Sequence, residues 1–95
     1  MTNFFDAPPK DPAAVLDYGL NWQARGWLAA GETIVSSTWT ATPGITIDTT
    51  SNTATTATVW LSGGTARRHY TVTNHITTSA GRADERSINV HVIDR

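Results

Sequence analysis

Residues 70–92 read YTVTNHITTSAGRADERSINVHV, two alternating runs around a small-residue break. Tyr70, Val72, Asn74 and Ile76 share one parity in the first run; Ile88, Val90 and Val92 share one in the second. A period of two sends alternate side chains to opposite faces of a strand. Ser79-Ala80-Gly81-Arg82 between the runs is a turn signal. The stretch therefore predicts an antiparallel hairpin. A register centred on Gly81 sets Tyr70 against Val92, Val72 against Val90, Asn74 against Ile88 and Ile76 against Arg86. The outer face then pairs Thr71 with His91 and Thr73 with Asn89. A one-residue slip would oppose apolar to polar side chains throughout. Asn74, the polar member of the inner stripe, must find hydrogen bonds if it is buried.

Upstream the same periodicity recurs. Ala57, Val59 and Leu61 alternate with Thr56, Thr58 and Trp60, which turns Trp60 outward. Leu16, Tyr18, Leu20 and Trp22 alternate with Asp17, Gly19 and Asn21. Thr33–Ala41 predicts a strand with Val35, Ser37, Trp39 and Ala41 on one face. Pro43-Gly44 is a turn, Ile45 and Ile47 a short strand, and Asp48–Thr53 a polar turn. Residues 23–32 form a connection, with Trp27 and Leu28 tucked onto the domain edge. Threonine is the commonest residue, and β-branched side chains suit a pleated surface. Short strands at near-regular spacing predict an all-β fold: a single immunoglobulin-like β-sandwich of six or seven antiparallel strands over residues 13–95.

Residues 1–12 stand apart as an extended arm. Pro8, Pro9 and Pro12 remove backbone donors, and Phe4 and Phe5 sit among polar neighbours. Two readings stay open: a loose terminus, or an arm that docks on a neighbour through Phe4, Phe5, Pro8 and Pro9. Asp11 before Pro12 also has the form of a short helix start.

Composition excludes several classes of function. The 95 residues contain no cysteine, so there is no disulfide scaffold, thiolate metal site or cysteine nucleophile. Seven basic and eight acidic residues give a net charge of −1, which argues against phosphate neutralisation and against a polybasic membrane anchor. No apolar run spans a bilayer, and the first residues do not form a secretion signal. The expectation is a protein released in the cytoplasm of the cell that makes it, with neither nucleic acid nor membrane as partner.

Candidate sites fare unevenly. Gly63-Gly64 precedes Arg67-Arg68-His69, but the glycines lead into an alternating strand and not into a helix N-terminus. That is a turn with positive φ, not a phosphate loop. Tyr70 has the place of a tyrosine that bonds back to the preceding corner of such sandwiches. Arg82 and Arg86 lie toward the hairpin tip, and Arg67 and Arg68 near its far end. All four read either as a solvated rim or as contacts to an acidic partner surface. His69 and His75 lie about 20 Å apart at strand rise, too far to share a metal; His69 and His91 approach diagonally but lack a carboxylate. No nucleophile elbow or carboxylate pair is present. The sequence thus leads to no catalytic, cofactor or metal residues, and outward Trp60 becomes a candidate protein contact.

Three motifs together are similar to a known family. Asp-Tyr-x-Leu-x-Trp (17–22), Thr-Ile-x-Ser-Ser-x-Trp (33–39) and Trp-Leu-Ser-Gly-Gly-Thr followed by Tyr-x-Val-x-Asn (60–74) resemble the phage fiber–tail adaptor proteins, small immunoglobulin-like proteins of tailed phages and prophages. The likeness runs from about Lys10 to Val92, and the chain departs from it at Arg67-Arg68-His69. It implies a structural part of a tailed phage virion at the neck or tail, without catalysis. It also implies a symmetric multi-copy ring touching portal or neck, tail and tail-fiber proteins. Capsid decoration and carbohydrate-binding or adhesion modules share the fold and stand as alternatives; a sugar site would need its tryptophans aligned on one solvent face.

Overall fold

The computed structural model describes residues 10–23 and 27–93 in full and Phe4–Asp6 as backbone. Seven strands form: β1 (Phe4–Asp6), β2 (Leu16–Asn21), β3 (Ile34–Ala41), β4 (Ile45–Asn52), β5 (Thr56–Gly63), β6 (Arg68–Thr78) and β7 (Ala83–Val92). One sheet has the order β2-β5-β4 and the other β1-β7-β6-β3. Every pairing is antiparallel except that of β1, which runs parallel to β7. Without β1, the two three-stranded layers have the strand order of an immunoglobulin-type sandwich. Asp11 starts no helix. Its carboxylate accepts the Ala13 N–H at 2.8 Å and its carbonyl the Ala14 N–H, which closes a turn.

The inner stripes meet in one core. Ala57, Val59 and Leu61 of β5 face Val72 of β6 and Val90 and Val92 of β7, all fully buried. Burying each of these valine and leucine side chains contributes about 1.5–3 kcal/mol. Trp39 on β3 and Trp22 after β2 belong to the same core, and both lie beside Asn74.

The hairpin forms, but two residues out of the expected register: Tyr70 lies opposite Val90, Val72 opposite Ile88 and Asn74 opposite Arg86. The turn explains the shift. The Gly81 N–H donates to the Thr78 carbonyl and the Thr78 N–H to the Arg82 carbonyl, while Gly81 has φ +81. Those bonds define a three-residue loop with a glycine bulge, so the loop is centred on Ala80. An even shift preserves faces, so the inner stripe is the one expected.

Two bulges account for the other differences. The β3–β6 register jumps between Ile34 and Ser36, so Ile34 is buried while Val35 is 65% exposed, contrary to its expected inner place. Asp48–Asn52 is strand, not turn. A bulge between Ile47 and Thr49 lets β4 continue along β5, and its polar residues stay exposed on an edge strand.

Candidate functional site

The corner between β5 and β6 is built around Tyr70. Its hydroxyl accepts the Thr65 N–H at 2.8 Å, the bond back to the corner that its position predicts. The ring lies between two glycines. A Cβ on Gly44 would stand 2.9 Å from Tyr70 Cε1; one on Gly64 would stand 3.5 Å from Tyr70 Cε2 and 2.7 Å from Val92 Cγ2. Gly63 and Gly64 both have positive φ, so the glycine pair serves this corner. Beneath it Lys10 is fully buried, with Nζ donating to the carbonyls of Gly63 at 2.7 Å and Asp11 at 2.9 Å. Burial pushes the Lys10 ammonium pKa down, against the pull of Asp11 and Asp48.

Arg67 follows with φ 70, a left-handed conformation costing a non-glycine residue roughly 1–2 kcal/mol. Its N–H donates to the Val92 carbonyl at 2.6 Å. The Arg67 and Arg68 side chains are exposed and without ion-pair partners among the described residues. Arg68 stands at the rim of a groove of about 410 Å³ floored by Tyr70 and Gly44 and bounded by Pro43 and His69. The Thr65 bond leads the downward pull on the Tyr70 pKa, and the charge of Arg68 adds to it.

His69 lies directly opposite His91, a product of the corrected register, and the rings stack at 4.0 Å. No three His, Cys, Asp or Glu side chains converge as a metal centre requires, among the described residues. His75 instead faces Glu85 at 3.5 Å.

Trp60 points outward as its parity requires and is 41% exposed, with Asp17 and Thr49 beside it in register. The other tryptophans are buried or half-buried, so no aromatic row faces solvent among the described residues. Trp22 donates its Nε1–H to Asn74 Oδ1 at 2.8 Å, and Asn74 Nδ2 donates to the Ser37 hydroxyl at 2.8 Å and the Thr38 carbonyl at 2.9 Å. Asn74 therefore has its expected hydrogen bonds, to side chains as well as to backbone.

Of the hairpin-tip arginines, Arg82 is exposed, as a rim residue is, whereas Arg86 is not. Arg86 is 4% exposed, its guanidinium about 5 Å from the ring centres of both Trp22 and Trp27. Arg82 pairs with Glu32 at 2.6 Å and also donates to the Trp27 carbonyl. Arg82, then the Thr78 hydroxyl and the Ala29 N–H, hold the Glu32 carboxyl down at about 2. Arg86 shares inner parity with Ile88, so a sequence signal for its burial existed. Lys10 offered none.

Of the predicted arm, backbone Phe4–Asp6 lies along the chain's own β7, with Phe4 opposite Ser87 and Phe5 opposite Ile88. The side chains of Phe4 and Phe5, and Pro8 and Pro9 entirely, lie outside the described residues.

What the described residues present is a small sandwich with an outward tryptophan, two exposed arginines without ion-pair partners and a corner groove. Residues 10–91 match the family described as Podophage GP4 fiber-tail adaptor protein gp77, and the chain belongs to that family. It is accordingly a structural protein of the phage tail, located in the virion. No curated protein matches the chain. No helix of the described residues is long and apolar enough to cross a membrane.

Proposed function

We propose that the chain is an adaptor that joins tail and neck proteins to tail fibers through protein–protein contacts, and that it catalyses no reaction. The observation that carries this is the family match over nearly the whole sandwich. Residues 13–95 act as a rigid spacer. Residues 1–12 act as the arm, with Phe4, Phe5, Pro8 and Pro9 as its apolar grip. Trp60, Arg67 and Arg68 supply further contacts. Several copies stand symmetrically around the tail axis, so weak contacts sum to strong attachment. Synthesis takes place in the bacterial host cytoplasm. In favour of this reading, the side chains of Trp60, Arg67 and Arg68 are exposed, and neither arginine has an ion-pair partner among the described residues.

Cryo-electron microscopy of the intact particle tests it. Density for this sandwich at the portal–tail junction beside the fibers is the expected result. Density on capsid hexamers would overturn it in favour of decoration. Deleting residues 1–9 tests the arm: particles that assemble and keep their fibers would remove the arm from the mechanism.

A further inference from the structure

The molecule carries two unsatisfied surfaces of opposite character. One is a knob. Trp60 stands out from the central strand of the β2-β5-β4 sheet, and Asp17 is its cross-strand neighbour. β2, β4 and β5 contain no Lys, Arg or His, while Asp17 and Asp48 both lie exposed in them. Gly19, paired with Thr58, adds no side chain to that face. The other surface is a hole. The corner groove of about 410 Å³ has the Tyr70 ring as floor, Arg68 and His69 at its rim and no carboxylate in its lining. Arg67, held in a left-handed conformation, stands next to it.

We propose that knob and hole are the two halves of one contact between copies of this chain. The Trp60 indole of one copy enters the Tyr70 groove of the next. There Asp17 meets Arg68, and the indole takes Arg68 across its face. The two surfaces are different patches of one rigid sandwich, and Trp60 does not line its own groove. The contact is therefore heterologous, each copy giving a knob and receiving one. Such contacts close into a ring or continue as a filament. This deepens the reading that the adaptor acts in several copies, and rests on it for its biological setting.

Sedimentation of the purified full chain over a concentration series is the test. Wild type self-associates, less so at high salt. Trp60→Ala weakens association by roughly 30-fold or more, the loss of a central aromatic anchor. Arg68→Glu weakens it by roughly tenfold or more, and Arg68→Glu with Asp17→Arg restores it. Both single-site variants still melt cooperatively, W60A at a modestly lower temperature because Trp60 is part-covered on a central strand. A mixture of W60A, which retains its hole, and R68E, which retains its knob, forms a one-to-one complex. Wild type that stays monomeric to millimolar concentration overturns the contact. So does undiminished association of W60A and R68E, or a mixture that forms no complex. Imaging of the particle decides the adaptor reading separately, so each can fail alone.

Discussion

Asn74→Ala has the largest predictable effect on this fold. Asn74 is fully buried and its amide joins three parts of the domain. Truncation leaves the buried Trp22 Nε1–H without an acceptor, at a cost of about 1–3 kcal/mol. Ser37 is half-buried and Thr38 exposed, so water replaces much of what they lose; about 1 kcal/mol covers both. The void left by the amide adds about 1 kcal/mol. The sum is about 3–5 kcal/mol, against a total of about 5–10 kcal/mol for a chain of this length. The melting temperature should fall by roughly 15–30 °C. Urea unfolding followed by tryptophan fluorescence reads the loss directly. Combined with Trp22→Phe, it also yields a coupling energy of at least about 1 kcal/mol. A cost below about 1 kcal/mol for Asn74→Ala, or simple additivity with Trp22→Phe, would refute the reasoning.

Other substitutions isolate single causes. Gly64→Ala meets both a positive φ and Val92 Cγ2 at 2.7 Å, whereas Gly81→Ala meets a positive φ alone. Gly81→Ala should cost about 1–2 kcal/mol and Gly64→Ala distinctly more, by denaturant midpoints; equal costs would show that the Tyr70 corner tolerates a side chain there. Tyr70→Phe leaves the Thr65 N–H without its acceptor and should cost about 1–2 kcal/mol in the same assay. The Trp39 Nε1–H has no hydrogen-bond partner among the described residues, so Trp39→Phe should cost less than Trp22→Phe. Glu32 titrates lower in the folded state than in the unfolded one, so its contribution is complete above about 4.5 and is lost as pH falls toward about 2. Melting temperature measured across that window should drop in wild type and show a shallower drop in Glu32→Gln.

Parity carried most of the fold. Tyr18, Leu20, Val59, Leu61, Val72 and Val90 alternate in sequence and are buried in the structure. Parity is blind to even shifts, however. The hairpin could move by two residues without exposing an apolar side chain, and only the hydrogen bonds of the Gly81 bulge decide the register. That shift brings His69 over His91 and Arg86 beside Asn74. Bulges break parity itself, which is why Val35 is outside and Ile34 inside. The Tyr70 corner was legible because its glycines and tyrosine have fixed geometric duties. Arg86 showed only its inner parity and Lys10 nothing, because what holds a buried cation lies far off in sequence: Trp27 for one, Gly63 for the other.

The parallel pairing of β1 with β7 has a mechanical consequence. Phe4 lies beside Ser87, and Lys10 beside Val92, so the first strand runs from the middle of β7 toward the end where β7 leaves the sheet. Force applied between the two termini slides the strands past one another and loads their hydrogen bonds together, where an antiparallel pair would unzip bond by bond. The Lys10 N–H to the His91 carbonyl, the Ile93 N–H to the Lys10 carbonyl and the Lys10 ammonium on Gly63 all lie in that line of shear. Tension entering at the first residues is thereby passed to the β5–β6 corner.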